Sequence, residues 1–477
     1  MSDERVALEE SVPRKVKISL GLGNLANGFL NGFPFANMTF FYEQKIGLHA
    51  DLIGYAWLIF AIWNTLNDPI FSYIIDNTRT RIGRRIPYIR YGSVLYVAAF
   101  LFCWFPIATP DNQIGLFFNF LAALFLLDTM FTIVGCCFFT LPNEIAVTAK
   151  QRASLTLYST AFGFVNLGLG LLLPILFLTG QVGIHPFFLP SMVILGIACG
   201  LILFISSFGL RENMFAQDQA HEGFIEGLKE TLKNKPFWII MIPALLLSIL
   251  LPLIQTGLLY YIDYVDTGQS IVPALAGFVI LVVVGVVVFL KLLDKWQAKK
   301  TMIACFYIFS LGFIGIFILG SNRMLVTIPM AVMGFAFAGG LICNGVVMGD
   351  AIDNDELITG KRREAIYGGV NAIVTKPGIS IANWGFLAII GAFGFVSPKE
   401  IGGELVKQAQ PFSVTIGILV ALALLPLVGT LASAIALRWY PLDGTEWLRK
   451  KKYLMDLHAQ KERDFLARRQ AARSKGT

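Results

Sequence analysis

The sequence predicts an all-α polytopic membrane protein with 12 transmembrane helices. Of its 477 residues 56% are hydrophobic and only 14% are charged, whereas soluble domains carry about 25% charged residues. The apolar runs are also long, as in AGFVILVVVGVVVFLKLL at 276–293. Because ~20 apolar residues cross the hydrocarbon core as a helix, runs of this length indicate membrane spans rather than the core of a soluble domain.

Twelve apolar segments follow one another along the chain and define the predicted spans. Their predicted bounds are 18–42, 51–75, 88–109, 114–141, 154–179, 187–210, 237–262, 271–293, 301–320, 325–349, 365–395 and 412–437. The segment before the first span is charged and polar, so we expect no cleavable signal peptide.

The basic residues predict the orientation of these spans. Of the 38 Lys and Arg residues, 33 lie in the N-terminus, the even-numbered loops, the C-terminal tail or the span ends beside them, and 4 lie in the odd-numbered loops. Loops rich in Lys and Arg stay in the cytoplasm. We therefore expect a plasma-membrane protein with both termini cytoplasmic. The net charge of +7 reflects this topology, and we expect no nucleic-acid partner.

A long polar connection divides the chain into two sets of six spans. We predict a cytoplasmic N-terminus at 1–17, a six-helix bundle at 18–210, a cytoplasmic linker at 211–236, a second six-helix bundle at 237–437 and a basic cytoplasmic tail at 438–477. Two halves packed around a site at the membrane midplane are typical of the major facilitator fold.

Cysteine and histidine give no sign of a metal, a disulfide or an enzyme. All six cysteines fall in apolar segments, and none of the four histidines lies in a predicted span or has ligand spacing. Small buried thiols pack as hydrophobes, and metal sites need clustered ligands. We expect no catalytic residues, no metal and no cofactor other than a coupling ion, H⁺ or Na⁺.

Polar side chains inside the spans mark a candidate solute cavity, because such residues are costly in a membrane unless they pair or serve transport. Asn24, Asn27 and Asn31 share one face of the first span by their helical spacing. Asn64 and Asp68 are one turn apart in the second span, as are Asp128 and Thr132 in the fourth. The eleventh span adds the residues Asn371, Lys376 and Trp384.

Lys376 is the only Lys or Arg well inside a predicted span. An unpaired lysine at the bilayer midplane costs at least ~2.5 kcal/mol, so we expect a partner. Three readings stay open: Lys376 faces the cavity and meets an acid of the other half, it binds an anionic group of the solute, or it only ties helices together.

Charged clusters after the second, eighth and tenth spans predict a cytoplasmic gate. Asp76 precedes a turn that contains Arg84 and Arg85, and Asp294 begins a similar acid-then-base stretch in the second half. An acid at a helix end can bind backbone N–H groups or arginines. In GDAIDNDELITGKRRE at 349–364, we expect ion pairing rather than calcium binding; the gate residues there are Asp350, Asp353, Arg362 and Arg363.

Several of these stretches resemble one family. NDPIFSYIIDNTRTRIGRRIPYI, KISLGLGN, DAIDNDELITGKRREAIYGG and the TKPG of the eleventh span together resemble the glycoside–pentoside–hexuronide:cation symporters, whose best-known member is the melibiose permease. The resemblance spans the chain. It implies a major facilitator fold, alternating access and coupling to sodium or protons.

The resemblance carries over unevenly to the site. It implies that Asp68 is an acid of the cation site, with Thr132 beside it and Lys376 as the lysine of the eleventh helix. A second acid of that site is Asn64 here, and the aspartates that hold sugar hydroxyls in the family fall on Gly28 and Gly135. The chain keeps the scaffold and the gate but lacks the melibiose-type sugar clamp.

We therefore expect a monomeric secondary active transporter that carries a small organic solute, a sugar or glycoside, with a coupling cation at Asp68, Asn64 and Thr132. Protonation or cation binding at Asp68 would neutralise the carboxylate and allow reorientation. A lysolipid or another amphiphilic or anionic solute is the alternative, because the missing sugar clamp leaves it open.

Overall fold

The computed structural model describes residues 12–145, 149–180, 183–210, 231–265, 271–322, 324–360, 363–401, 404–457 and 460. The first half contains six helices, and a five-residue π-helical turn, Tyr42–Ile46, follows the first of them. The helices are α1 Arg14–Phe41, α2 Ala50–Asn77, α3 Ile86–Phe102, α4 Gln113–Ile145, α5 Ala149–Leu178 and α6 Phe188–Gly209.

The second half is less regular. Its membrane helices are α7 Lys235–Tyr264, α8 Val272–Leu319, α9 Thr327–Thr359, α10 Glu364–Thr375, α11 Pro377–Ala392, α12 Phe412–Leu419 and α13 Leu425–Arg438. A π-helical turn, Val420–Leu424, joins the last two. A tail helix, α14, covers 444–457.

Each of the twelve predicted spans falls on these helices, with three differences in detail. Spans 8 and 9 are two helical segments, Pro273–Leu293 and Lys295–Leu319, within the range named α8, and they meet at a kink at Gln297, where φ is +64°. Span 11 is divided at Lys376, and span 12 contains the π-helical turn. Within the described ranges nine helical segments are long and apolar enough to cross a membrane, so the number twelve stays a prediction.

A short antiparallel hairpin between α11 and α12 was not expected from the sequence. Strand β1, Lys399–Ile401, pairs with β2, Glu404–Val406, and Ile401 lies opposite Glu404. Three residues per strand are too few for the alternation of polar and apolar residues to be recognised.

Two glycines end helical segments in a left-handed conformation. Gly47, with φ of +86°, terminates the π-helical turn after α1, and Gly360, with φ of +71°, terminates α9. A residue without a Cβ adopts this conformation at no steric cost. The α9 terminus therefore falls where the sequence changes from an acidic to a basic run.

The described chain packs into two compact units. The first contains Met1–Ala220, Ser248–Gln269 and Lys376–Leu422, and the second contains His221–Leu247, Ser270–Thr375 and Ala423–Thr477. One boundary, between Ala220 and His221, falls within the predicted linker at 211–236. The others fall inside α7, between α7 and α8, at the break between α10 and α11, and inside the last π-helical turn. Residues 211–230 lie outside the described ranges, and the division into two six-helix bundles stays a prediction.

Aromatic side chains form much of the core of the first unit. The indole of Trp104 is buried and has ring neighbours in Phe33, Phe41 and Phe188 at centroid distances of 5.3–5.5 Å. By contrast, large apolar side chains such as Val94 and Leu201 are more than half exposed on the outer surface of the helices. Such a surface suits lipid rather than water.

Candidate functional site

A cluster of two acids and one lysine lies in the first compact unit, where α2 and α4 meet the break between α10 and α11. Asp68 precedes Pro69 within α2, and Lys376 precedes Pro377, which begins α11. Proline has no N–H to donate and clashes with the carbonyl one turn earlier, so it weakens or ends a helix locally. Both charged residues thus lie at points where the helical backbone is interrupted or weakened.

The lysine contacts both acids. The Nζ of Lys376 lies 2.5 Å from Asp68 Oδ1 and 3.9 Å from Asp128 Oδ1. Thr132 Oγ1 donates a hydrogen bond to the same Asp68 oxygen at 2.8 Å. Among the alternatives for Lys376, contact with acids of the first half is the arrangement that the structure contains.

The two acids differ in exposure. The side chain of Asp68 is 24% exposed and that of Lys376 is 18% exposed, whereas that of Asp128 is 3% exposed. A charge of this kind is tolerated inside a protein only if it is paired and hydrogen-bonded. Asp68 is therefore the acid that solvent or a solute can reach, and Asp128 is the acid behind it.

Two asparagines of α2 complete the cluster. Asn67 Nδ2 donates to Asp128 Oδ2 at 2.7 Å and to Thr132 Oγ1 at 3.0 Å. Asn64 Nδ2 donates to the backbone carbonyl of Lys376 at 3.2 Å, so Asn64 contacts the helix break itself. A continuous path of hydrogen bonds runs from Asn67 through Thr132 to Asp68.

Several buried amide oxygens of α1 and α2 have no hydrogen-bond partner in the described part of the chain. They are the buried Oδ1 atoms of Asn27, Asn31, Asn64 and Asn67. A buried acceptor without a donor costs ~1–3 kcal/mol. Such acceptors are suited to the hydrogen-bond donors of a bound solute.

The three predicted cavity amides of α1 differ in their surroundings. Asn24 Nδ2 donates to Ser159 Oγ of α5 at 2.9 Å, so this amide joins two helices. Asn27 is 7% exposed and lies towards α4, since a Cβ placed on Gly135 would be 3.4 Å from its Nδ2. Asn31 is half-buried.

Gly28 and Gly135 stand where the resembled family has two aspartates, and both glycines lie against amide side chains. A Cβ placed on Gly28 would be 2.9 Å from Nδ2 of Asn166 in α5, and a Cβ on Gly135 would be 3.1 Å from the Phe131 ring as well as 3.4 Å from Asn27. The space in which carboxylates would begin is thus occupied by neutral polar side chains. The sequence analysis missed Asn166.

The remaining predicted cavity residues are Trp384 and Asn371. Trp384 is 41% exposed, and its ring packs near Gly54 at the beginning of α2. Asn371 belongs to the second compact unit, where its carbonyl accepts a hydrogen bond from Thr375. Their assignment to the solute cavity stays a prediction.

The first predicted gate element is partly described. Arg84 and Arg85 are both buried, and the guanidinium of Arg85 contacts Thr140 of α4. The side chain of Asp76 lies outside the described residues. Pairing between Asp76 and these arginines therefore stays a prediction.

The gate element of the second unit contains two ion pairs. Arg363 Nε lies 3.3 Å from Asp355 Oδ2, and Lys451 Nζ of the tail helix lies 2.5 Å from Asp350 Oδ1. The tail thus supplies a partner that the sequence analysis did not assign. Asp353 is half-buried, while Arg362 and the side chain of Asp294 lie outside the described residues. In the part of the chain that is described, no three His, Cys, Asp or Glu residues are placed to hold a metal.

Comparison with known proteins identifies relatives along almost the whole chain. The model of the family described as "MFS/sugar transport protein" matches residues 19–444. The putative glycoside/cation symporter YagG of Escherichia coli is 23% identical and covers 79% of this chain and 82% of its own length. The inner membrane symporter YicJ of the same organism is 26% identical, with 90% and 92% covered.

A solved structure has the same fold. The crystal structure of a variant of the nucleoside transporter NupG covers 89% of this chain and 99% of its own, with a TM-score of 0.62 and 14% identity. The expectation of a major facilitator fold is confirmed by this match and by the family model.

Proposed function

This protein belongs to the MFS/sugar transport protein family, and on that premise we propose that it is a proton-coupled symporter of a neutral, polyhydroxylated solute, a sugar or glycoside. It is a multi-pass membrane transporter and not an enzyme. Asp68 is the coupling acid. Lys376 pairs with Asp68 when that acid is ionised and releases it when it is protonated. The amides of α1, α2 and α5 bind the solute.

The charge of the cluster supports a single coupling cation. When Asp68, Asp128 and Lys376 are all ionised, the two carboxylates exceed the one ammonium by one negative charge. An unbalanced charge opposes movement of the site through a low-dielectric medium. One bound proton removes this excess, so the loaded carrier can reorient.

The position of Lys376 favours a proton over sodium. Its ammonium is already 2.5 Å from Asp68, and a metal cation at that oxygen would be repelled by it. A proton on Asp68 instead replaces the ammonium as the neutralising charge. Lys376 then keeps Asp128, now 3.9 Å away, as its remaining acidic partner.

Sodium is a second candidate ion, because oxygen ligands converge beside the acids. The Oδ1 atoms of Asn64 and Asn67 have no partner among the described residues, and Thr132 offers a hydroxyl. Hard cations bind sets of oxygen ligands such as these. Sodium binding would require Lys376 to leave Asp68 first.

The amides support a neutral cargo. The oxygens of Asn27, Asn31, Asn64 and Asn67 can accept hydrogen bonds, and hydroxyl groups of a sugar supply the donors. Asn27 and Asn166 lie where the family's carboxylates would begin, so hydroxyls would be held without added negative charge. The name of the relative YagG, a glycoside/cation symporter, agrees with this class of solute. Lysophosphatidylcholine carries a single hydroxyl donor, too few for the four acceptors.

Reconstituted protein tests the proposal. We expect a proton gradient, outside acidic, to drive accumulation of at least one labelled sugar from a panel of xylose, cellobiose and methyl glucosides. Asp68→Asn should abolish gradient-driven accumulation but retain sugar exchange, because a neutral residue mimics the loaded acid. Asp51→Asn, at an exposed acid in the first turn of the same helix, is the matched control.

Three results would contradict the proposal. Gradient-driven accumulation by Asp68→Asn equal to that of Asp51→Asn would exclude Asp68 as the coupling acid. Accumulation driven by sodium alone would identify the second candidate ion. Uptake of lysophosphatidylcholine, with none of the sugars transported, would favour the amphiphile.

The orientation and assembly complete the proposal. The distribution of 33 against 4 basic residues supports cytoplasmic termini in the plasma membrane, so the acidic outside is the loading side. We propose a monomer, because both acids and the lysine of the cluster come from one chain.

A further inference from the structure

A second buried acid, Glu43, lies outside the coupling cluster, in the π-helical turn that follows α1. Its side chain is 0% exposed. Tyr260 Oη donates to its Oε2 at 2.5 Å, Gln44 Nε2 donates to the same oxygen at 2.6 Å, and Ser397 Oγ donates to Oε1 at 2.7 Å. Three neutral donors thus hold one carboxyl group.

These partners bring distant parts of the sequence together within the first compact unit. Tyr260 lies near the end of α7, 217 positions from Glu43, and Ser397 lies before the hairpin, 354 positions away. Tyr264 Oη also donates to Gln44 Oε1. We call Glu43, Gln44, Tyr260, Tyr264 and Ser397 the Glu43 latch, because they join the first and second predicted bundles on the side that the basic residues predict to face outward.

Aromatic rings close the latch against solvent. The Tyr260 ring has ring neighbours in Phe40 at 5.1 Å, Phe386 at 5.0 Å and Phe395 at 5.8 Å. Phe395 also contacts the ring of Tyr264 at 5.3 Å in an edge-on arrangement. Because the Glu43 side chain is fully buried, water reaches its carboxyl group only when these contacts open.

The charged groups of the surrounding elements are engaged elsewhere. Lys407 pairs with Asp263 at 2.5 Å, and Asp263 also accepts from the backbone N–H of Gly180 at 2.9 Å. Lys45, in the same π-helical turn as Glu43, is buried, and burial lowers its pKa to about 8. Within the described ranges no basic side chain forms an ion pair with Glu43.

We propose that Glu43 is a proton-binding site that controls the outer opening of the transporter: the protonated acid stabilises the closed latch, and release of the proton to the outside medium accompanies opening. The carboxylic acid Glu43–CO₂H becomes Glu43–CO₂⁻, and the proton passes to bulk water. Neither the solute nor the coupling acid Asp68 takes part in this step.

The closed latch binds the proton more tightly than the open one. Burial raises the pKa of Glu43, and the hydrogen bonds from Tyr260, Gln44 and Ser397 lower it by a smaller amount. When the latch opens, water solvates the carboxylate and the pKa returns to its ordinary range. A falling pH therefore favours the closed latch, and a rising pH favours the open one.

This dependence fits the direction of symport but does not rest on the identity of the solute. An acidic outside medium closes the outer face behind a loaded site, so protonation of the latch promotes delivery inward. If the proposed function failed because the solute or coupling ion is different, the opening of the latch would still follow pH. The two proposals can therefore fail separately.

Distance measurements between two spin labels test the latch without transport. Labels at Asp111 and Ala409 report the outer side, because both residues are exposed and lie in predicted outer loops of different bundles. The six native cysteines are replaced first. Distances are recorded in lipid nanodiscs without solute, from about pH 5 to about pH 9, a range in which carboxyl groups with raised pKa values titrate.

We expect the ratio of long to short distances to rise with pH by up to about tenfold per pH unit, the limit for one proton. Measured with Asp68→Asn present in every protein compared, so that the coupling acid does not titrate, Glu43→Gln should change this ratio less than about twofold, because the amide is neutral at every pH. Glu446→Gln, at an exposed acid of the tail helix, should behave as the parent protein does.

Tyr260→Phe provides an independent check, including the case in which Glu43→Gln does not fold. The ring remains, but a donor to the ionised carboxyl is lost, so the midpoint of opening should move to higher pH. Distances that do not change with pH in the parent protein would overturn the proposal. So would the same pH dependence in folded Glu43→Gln, or a midpoint in Tyr260→Phe that is unchanged or lower.

Discussion

The ammonium of Lys376 lies 2.5 Å from one oxygen of Asp68, although the two residues are 308 positions apart in the chain. Each residue lies beside a proline in its own helix. The pair therefore connects two places where the backbone can bend. A change of charge at either residue acts directly on the break between α10 and α11, and this is the physical basis of the proposed coupling.

Replacement of the lysine should stop accumulation. In Lys376→Leu the two acids lose their common cation, and we expect solute accumulation to fall at least about tenfold, as for the loss of a charge-assisted hydrogen bond. The variant should still insert in the membrane. Uptake in proteoliposomes checks this, with Lys399→Leu, an exposed lysine of the hairpin, as the control. Normal accumulation by Lys376→Leu would show that the lysine only joins helices.

The hydroxyl of Thr132 should set the affinity for the coupling ion. It donates to Asp68 at 2.8 Å and accepts from Asn67 at 3.0 Å. Thr132→Val keeps the shape but leaves both groups without this partner, so the proton or sodium concentration for half-maximal uptake should change about tenfold. Thr132→Ser should restore the parent value. Thr129→Val, one turn earlier in α4, should have little effect, and equal effects of the two valines would contradict the prediction.

The amide beside Gly28 should determine the affinity for solute. In Gly28→Ala the new methyl group would be 2.9 Å from Asn166 Nδ2, so Asn166 must move. We expect KM for the transported sugar to rise severalfold, about 1 kcal/mol for one lost hydrogen bond, while the dependence on pH is unchanged. Gly163→Ala is the control. Gly163 lies on the same helix as Asn166, and a Cβ added there would have no neighbouring atom within 4 Å. An unchanged KM in Gly28→Ala would exclude Asn166 from the solute site.

The tail helix should stabilise the second compact unit. Asp350 is buried, and Lys451 of the tail lies 2.5 Å from it. Lys451→Ala leaves this acid without its cation, and we expect a loss of about 1–3 kcal/mol in the free energy of unfolding. Lys450→Ala breaks only the exposed pair with Glu446, which solvent screens, so its effect on the free energy of unfolding should be smaller. Thermal unfolding in detergent compares the two variants. A larger effect of Lys450→Ala would contradict this role of the tail.

Much of the fold could be predicted from the sequence because membrane helices depend on local composition. Long apolar runs identify the spans without knowledge of their neighbours. The polar stretch LDKWQAKK at 293–300 separates spans 8 and 9 in the structure as it does in the prediction, and the backbone leaves the helical conformation there at Gln297. The break at Lys376 was missed, since the apolar run continues through it.

The site was only partly predictable, because its contacts are distant in sequence. Because an unpaired lysine is costly in a membrane, the sequence predicts that Lys376 has a partner. Whether this partner is an acid or the solute depends on which helices pack against it, and the sequence does not show this. Asn166 could not be recognised, as a single amide in an apolar helix has no pattern. Glu43 lies one residue beyond the predicted first span, and two of its three donors come from the second half of the chain.

Proton movement that accompanies solute entry tests the coupling cluster most directly. Proteoliposomes that contain a pH-sensitive dye are mixed with the transported sugar, with no gradient imposed. The proposed mechanism predicts internal acidification by the parent protein and by Asp51→Asn, and none by Asp68→Asn although it still exchanges sugar. Sugar entry without acidification in the parent protein, or the same acidification in Asp68→Asn, would contradict it.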